Sequence, residues 1–291
     1  MKQFILYNPI SGKKDGASVA RRLAKDTGND AEETVLMDIT KIESYEVLRG
    51  CLTKDDRVII CGGDGTLNRF VNAAGPETVP CEIYYQACGT GNDFLRDIRQ
   101  RVGKVPINIT KYLKNLPTVT VRGRSYRFLN NVGFGLDGYC TEEGDRLREK
   151  TKAKVNYTMI AVKGLFGRFK PVNATVTVDG VTRTFKDVWL APTMNGRFYG
   201  GGVMATPEQD RTNGEGIVSV MVYHTNDRLK TILGFPTILR GKHTRYKDMV
   251  EIFTGKYVRV EFDRPTPLQI DGETLRDVIA YEIGTPKEQN I

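Results

Sequence analysis

Arg57-Val58-Ile59-Ile60-Cys61-Gly62-Gly63-Asp64-Gly65-Thr66-Leu67-Asn68 decides how this chain is read. The apolar run Val58–Cys61 reads as a buried strand, the glycines as a tight turn, and the residues from about Thr66 as a helix. Gly62, Gly63 and Gly65 strip side chains from the turn, so backbone N–H groups can approach an anion closely. The helix that follows, with Thr66 as its expected cap, adds a dipole that favours phosphate. Asp64 is the odd member, because a carboxylate repels phosphate unless Mg²⁺ or a sugar hydroxyl lies between them. Turn, cap and carboxylate together point to a nucleotide with its metal, although the same pattern also serves as a plain connection in an α/β sheet.

Working outward, strand and helix patterns alternate through the N-terminal part of the chain. Phe4–Tyr7, Glu33–Met37, Val58–Cys61 and Glu82–Gln86 read as strands, and Ala17–Lys25, Ile42–Cys51 and Leu67–Ala73 as helices. Such alternation with short connections implies βαβ units and a mostly parallel sheet between helical layers, with ligands at the carboxyl ends of the strands. After Asn115-Leu116-Pro117 the texture changes. A hairpin around Gly123-Arg124 and a helical stretch from about Tyr139 to Val162 are followed by strand-like segments with an Asp179-Gly180 turn. One further helix, Leu229–Leu239, carries Pro236 as an expected kink. The reading is an α/β domain over residues 1–120 and a β-rich, sandwich-like domain over 121–291.

Composition removes several function classes. Of the five cysteines, Cys51, Cys61, Cys81, Cys88 and Cys140, none forms a Cys-x-x-Cys pair, which argues against a disulfide framework and a structural zinc site. Only His224 and His243 are available to a Ser-His-Asp hydrolase, and neither lies in a recognisable motif. Proton transfer therefore falls to a carboxylate. No apolar run reaches the ~18–20 residues needed to cross a bilayer, and a cytoplasmic location is expected. The net charge of +8 is clustered, most clearly in Lys163-Gly164-Leu165-Phe166-Gly167-Arg168-Phe169-Lys170 and Arg240-Gly241-Lys242-His243-Thr244-Arg245-Tyr246-Lys247. Such patches suit an anionic membrane surface or a nucleic-acid backbone, or serve as a solvated face; no nucleic-acid reading module accompanies them.

Further glycine-bearing segments stand behind the first: Asn8-Pro9-Ile10-Ser11-Gly12, Gly89-Thr90-Gly91-Asn92-Asp93-Phe94 and Gly133-Phe134-Gly135-Leu136-Asp137-Gly138. No Walker-type G-x-x-x-x-G-K-[ST] and no protein-kinase set is present. Together with Asn131-Val132 and the late Gln269-Ile270-Asp271-Gly272-Glu273, these segments occur in the order seen in the bacterial diacylglycerol kinase-like lipid kinases, a family that includes the sphingosine and ceramide kinases. The chain resembles that family over nearly its entire length. Gly-Gly-Asp-Gly-Thr alone is also similar to the NAD kinases, which share the N-terminal architecture.

The resemblance implies an α/β nucleotide domain, a β-sandwich and an active-site cleft between them. It implies ATP with Mg²⁺ as phosphoryl donor, held by Asn8, Pro9, Ser11, Gly12, Gly62, Gly63, Asp64, Gly65 and Thr66, with Asn68 beside them and Thr90 as a further contact. It implies Asp271 as the general base that deprotonates a lipid hydroxyl, with Glu273 on the nucleotide side, and a protein that attaches peripherally to an anionic membrane. Read on its own, Asp271 ends a β-like run and precedes Gly272, so a strand end presents it; an ordinary hairpin turn explains the same spacing. One departure stands out. Where the family carries an Asp-Asp-Gly-Leu stretch supporting a Mg²⁺-bridged network, this chain reads Asp210-Arg211-Thr212-Asn213-Gly214-Glu215-Gly216-Ile217, leaving Glu215 as the candidate metal ligand. Beside the lipid kinase stand two other expectations: a NAD kinase-like enzyme with a soluble acceptor, and a non-catalytic nucleotide- or lipid-sensing homologue.

Overall fold

The structure is a computed structural model and describes residues 1–9, 16–27, 31–41, 45, 48, 50–89, 91–151 and 155–284. The chain forms two compact units, Met1–Leu116 and Pro117–Ile291.

In the first unit, β1 (Lys2–Tyr7), β2 (Glu33–Asp38), β3 (Arg57–Gly62), β4 (Glu82–Ala87) and β5 (Ile107–Asn108) form one sheet in the order β2-β1-β3-β4-β5. The pairings among β1 to β4 are parallel and only β5 runs antiparallel. Strands buried on both faces read as continuous apolar runs, and β1 and β3 do so: Phe4, Ile5 and Leu6, and Val58, Ile59, Ile60 and Cys61, are all buried. Helix α1 (Gly16–Thr27) lays Val19, Ala20 and Leu23 on Ile5, Ile59 and Cys61. Helix α2 (Asp64–Ala73) buries Leu67, Phe70 and Val71, and α3 (Asp93–Asp97) buries Phe94, edge-on to Tyr85. The helix expected over 42–51 lies mostly outside the described residues.

The second unit is built on long, bent strands. β6 (Thr118–Val121) and β7 (Arg124–Arg127) form a hairpin, followed by β8 (Asn131–Gly135), α4 (Leu136–Lys150) and α5 (Tyr157–Lys163), which runs straight into a π-helical turn, Gly164–Arg168. Then come β9 (Val172–Val178), β10 (Val181–Met194), the short pair β11 (Phe198–Tyr199) and β12 (Val203–Met204), and β13 (Val218–His224). Helix α6 (Arg228–Gly234) leads into a 3₁₀ turn, Phe235–Arg240, and β14 (Val250–Gly255), β15 (Val258–Ile270) and β16 (Glu273–Ile283) complete the unit. The helix expected over Leu229–Leu239 thus changes type where Pro236 withdraws a backbone N–H. The single helical stretch expected from Tyr139 to Val162 is two helices, because Thr151 is extended at φ −140 and ψ 144.

Besides β13 and β16 respectively, β10 and β15 each serve two shared neighbours. Their outer halves pair with β9 (Val181↔Val178, Val258↔Val178), and their inner halves pair with β8 (Ala191↔Phe134, Ile270↔Val132). Register shifts at Phe185/Val188 and Glu261/Thr266 bend the strands between the two halves, so the sheet folds back on itself as a bulged sheet can. Inside the fold Phe134 stacks on Phe262 at 4.6 Å and meets Tyr281 at 5.3 Å, among Val176, Val260 and Leu268. A second core on the opposite side of β10 and β13 packs Trp189, Leu190 and Met221 beneath Leu136, Leu165 and Ile238. Three hairpins turn on Xaa-Gly pairs with both residues at positive φ: Arg122-Gly123, Asp179-Gly180 and Asp271-Gly272. That is the backbone a two-residue type I′ loop needs.

Helix α4 lies directly on β15 because Gly138 lacks a side chain, and a Cβ there would run into the Pro267 carbonyl. Gly138→Ala should therefore cost about 3 kcal/mol in urea unfolding. Gly180→Ala, at φ +90 with open space around it, should cost only about 1–2 kcal/mol through its left-handed backbone. Equal losses at the two positions would show that α4 can lift from the strand.

Candidate active site

The glycine loops of the first unit leave the carboxyl ends of β1, β3 and β4, three neighbouring parallel strands, and are joined by their backbones. The Asn8 N–H donates to the Cys61 carbonyl at 3.3 Å, and the Cys88 N–H to the Gly62 carbonyl at 2.7 Å. Asp64 reaches across: its Oδ2 accepts the Asp93 N–H at 2.7 Å. Gly63 and Gly89 touch main chain to main chain, since a Cβ on Gly89 would sit 2.7 Å from the Gly63 Cα. Only glycine allows that approach, and it brings the Gly62–Thr66 turn against the Gly89–Asp93 loop.

The structure corrects the start of the helix. It begins at Asp64, with Gly63 as cap at φ −102 and ψ −174 and no side-chain capping bond. The extended Gly63 lets its carbonyl accept both the Thr66 and the Leu67 N–H, at 2.9 and 3.1 Å, so the first turn closes earlier than a threonine cap allows. Thr66 is buried inside that turn, folded over Gly62, and its Oγ1 accepts Asn8 Nδ2 at 3.4 Å. A helix N-terminus without a side-chain cap is an anion site in waiting. Gly65 sits in the first turn of α2. Asn68 lies one turn further, accepting Asn72 Nδ2 at its carbonyl at 3.1 Å, and Pro9 lies in the turn after Asn8. Ser11, Gly12 and Thr90 lie outside the described residues.

In the second unit Asp271 occupies the first position of the β15–β16 turn at φ 47. Its N–H donates to the Asn131 carbonyl at 2.9 Å. Its carboxylate accepts three consecutive amides in return: Leu129 at 2.5 Å, Asn130 at 2.8 Å and Asn131 at 3.0 Å. Three N–H dipoles on one carboxylate stabilise its negative charge and fix its direction. The amide-bearing segment is itself clamped. Asn195 Nδ2 donates to the Leu129 carbonyl at 3.0 Å, and Arg211 donates to that carbonyl at 3.3 Å and to Asn130 Oδ1 at 3.1 Å. Glu273 opens β16, exposed, opposite Ile270.

Sequence reading quoted the Asn131–Asp137 motif but gave Asp137 no role. Asn131, Gly133 and Gln269 share one face of β8 and β15, with Gln269 directly opposite Gly133. Asp137 leans over that face, and a Cβ on Gly133 would lie 2.8 Å from its Oδ2. Tyr199 donates to its Oδ1 at 2.7 Å, while Oδ2 finds no hydrogen-bond partner among the described residues; nor do the buried Asn131 Nδ2 and Gln269 Nε2. Burial pushes the Asp137 carboxyl up to about 7, against the Tyr199 hydrogen bond, which pulls it down. Unsatisfied buried polar atoms of this kind mark a place built for a further polar group.

Glu215 does not fit a metal. It is exposed and pairs with Lys256 at 2.7 Å, and the loop is closed by an amide instead. Asn213 Nδ2 donates to the Asp210 and Ile217 carbonyls at 2.7 and 2.8 Å, and its Oδ1 accepts the Glu215 and Ile217 N–H at 3.0 and 3.2 Å. Among the described residues no three His, Cys, Asp or Glu side chains gather as a metal would need. His243 is fully buried on the Ala205 carbonyl at 2.8 Å, and burial lowers its proton affinity. None of the five cysteines forms a disulfide among the described residues, and burial pushes the thiols of Cys61 and Cys140 well up, away from nucleophilic use.

Residues 2–122 match the diacylglycerol kinase catalytic domain, and residues 130–287 match the YegS C-terminal NAD kinase beta sandwich-like domain. The chain belongs to the diacylglycerol kinase-like lipid kinase family. YtlR of Bacillus subtilis (strain 168), which carries the name of a lipid kinase, is 26% identical over 299 residues, covering 94% of this chain and 93% of its own. A diacylglycerol kinase of Mycobacterium tuberculosis (strain H37Rv) is 26% identical over 269 residues, covering 88% and 84%. A crystal structure of a Bacillus anthracis str. Sterne protein named as a diacylglycerol kinase has the same fold, with TM-score 0.71 at 18% identity over 97% of this chain and 93% of that one. As in the family's domain description, an α/β unit precedes a sandwich-like unit.

Asp137 gives this lipid kinase family member a measurable pH signature. A carboxyl whose folded pKa is raised to about 7 holds its proton where the unfolded chain has lost it, so its destabilising effect grows as pH rises from about 4 to about 7 and is complete above that. Asp137→Asn, which cannot ionise, should gain about 2–4 kcal/mol on the wild type between pH ~4.5 and pH ~8 in urea unfolding. A difference independent of pH would show that this carboxyl titrates normally.

Proposed function

We propose that this protein transfers the γ-phosphoryl group of ATP to the hydroxyl of a lipid alcohol, diacylglycerol-like, with Asp271 as general base. One observation carries the reading: Asn8 and the loops behind β3 and β4 meet at the N-terminus of α2, which no side chain caps and where main-chain amides can seat a polyphosphate. Asn8, Pro9, Gly62, Gly63, Asp64, Gly65, Thr66 and Asn68 form the described part of that seat, and Ser11, Gly12 and Thr90 complete it in the sequence motifs. Glu273 serves the nucleotide from the second unit. Mg²⁺ comes with the nucleotide as part of the substrate and neutralises phosphate charge.

In the reaction the lipid hydroxyl oxygen forms a bond to the γ-phosphorus. The bond from that phosphorus to the β,γ-bridging oxygen breaks, and ADP leaves with the electron pair. The hydroxyl proton passes to the Asp271 carboxylate. Phosphoryl transfer asks little covalent chemistry of a protein; it asks for positioning and charge stabilisation. A base must arrive ionised and oriented, and the amides of Leu129, Asn130 and Asn131 supply both conditions. The relatives' names support a lipid as acceptor.

The same hydrogen bonds favour a second role for Asp271, as the pin of its own hairpin. Asp271→Asn separates the two. As base and pin, the variant should lose about 10²–10⁴-fold in kcat with labelled ATP and a lipid extract. It should also lose about 1–3 kcal/mol in unfolding, since an amide NH₂ cannot accept from main-chain N–H groups. ATP affinity should stay within a few-fold. A loss of stability with kcat intact removes Asp271 from the chemistry.

A further inference from the structure

Helix α5 and the π turn after it expose a stripe that a buried core does not explain. Asn156 caps the helix, accepting the Met159 N–H at 3.0 Å, and the helical path continues to Phe166 before Gly167 breaks it at φ 132. Ile160, Leu165 and Phe169 turn inward beneath it. Met159, Val162 and Phe166, spaced i, i+3 and i+7, turn outward with 50%, 40% and 69% of their surface exposed. Helix α6, capped by Asp227, adds Leu229 and Leu233, spaced i, i+4 and 65% and 69% exposed. Arg228 joins the two elements: its guanidinium donates to the Leu165 carbonyl at 2.9 Å and the Phe169 carbonyl at 3.2 Å, and lies over the Trp189 ring. Five large apolar side chains therefore crown adjacent elements that the half-buried Arg228 holds together.

The charge around them is mostly basic, with Asp227 at the start of α6 and Asp248, which pairs with Lys230 at 3.8 Å, as the acidic neighbours. No Asp or Glu occurs from Lys150 to Val178, nor from Arg228 to Lys247. Lys163, Arg168 and Lys170 are exposed beside the first stripe, and Lys230 beside the second. Apolar tips beside the exposed Lys163, Arg168 and Lys170 match the two halves of an anionic bilayer surface: acyl chains just below, and negative headgroups around.

We infer that α5, the π turn and α6 form the face by which this protein sits on an anionic lipid bilayer, with Met159, Val162, Phe166, Leu229 and Leu233 entering the interface. The surface gives the proposed lipid kinase access to an acceptor that lives in the membrane, and it rests on that reading.

Binding is measured without nucleotide, by co-sedimentation of the full chain with vesicles of phosphatidylcholine alone or with about a third phosphatidylglycerol. The wild type should bind the anionic vesicles and lose affinity as salt rises above ~0.1 M, where surface attraction is screened within ~10 Å. Phe166→Ser with Leu233→Ser, and separately Lys163→Gln with Lys170→Gln, should each weaken binding roughly tenfold or more. Melting temperatures should hold, because these positions are exposed. Turnover on a short-chain, water-soluble lipid alcohol should also hold in both variants.

Wild-type-like binding by the serine pair overturns the inference, even where the glutamine pair binds weakly, since charge alone then carries attachment. So does a wild type that ignores anionic vesicles, or a serine pair whose only change is from dimer to monomer. Vesicle binding as expected, with no turnover on any lipid alcohol, would leave this surface standing and remove the kinase reading.

Discussion

Three amides on one carboxylate are the constraint around which the second unit is organised. Asp271 can accept from Leu129, Asn130 and Asn131 only because its own backbone takes a left-handed turn and because the chain bends at Leu129 and Asn130 before it enters β8. β8 in turn pairs β10 and β15, the two bent strands that give the unit its shape. A charge placed at a hairpin tip would ordinarily be solvated and worth little. Here it closes the register between the β15–β16 hairpin and β8, so the residue proposed to move a proton is also the one that locates the strand beneath it. Chemistry and architecture share a side chain, and a substitution that disturbs one disturbs the other.

Much of this was legible in the sequence because the physics behind it is local. The Xaa-Gly turns need positive φ at consecutive positions, and Asp179-Gly180 and Asp271-Gly272 announce it. The parallel strands announce themselves as unbroken apolar runs. The helix start was read two residues late for a local reason too: threonine is the commoner cap, but an extended Gly63 offers a carbonyl that closes the first turn without any side chain. What stayed hidden depends on partners distant in sequence. Nothing near Asp137 says that Tyr199 will reach it or that Gly133 will clear space for it. Nothing near Arg211 says that it will hold the Leu129 carbonyl, and the π turn at Gly164–Arg168 has no pattern of its own until Arg228 ties it down.

The polar atoms on the Asn131–Gly133–Gln269 face belong to the same class of hidden feature. Two amide nitrogens and one carboxylate oxygen, buried beside the strand that carries Asp271, have no partners among the described residues. Leaving such groups dry costs about 1–3 kcal/mol each, so water or another polar group is expected to meet them. Asp137 meets the cost by holding its proton up to about pH 7, which makes it a donor as readily as an acceptor near neutrality.

The loop at Asp210–Ile217 is held by side-chain amides. A cation closes a loop by drawing carboxylates and carbonyls inward, and needs enough negative charge to outbid water. Asn213 reaches the same end with one neutral amide, donating to the Asp210 and Ile217 carbonyls and accepting from the Glu215 and Ile217 N–H groups. Glu215 is thereby released to the surface, where Lys256 takes it. Gln209 adds a second amide to the Ile217 carbonyl at 2.9 Å and, through Ser219 at 2.6 Å, ties the loop to β13. With both lone pairs of the Ile217 carbonyl taken by nitrogen donors, a metal at that oxygen would have to displace them. Closure of this loop is therefore written into its amides.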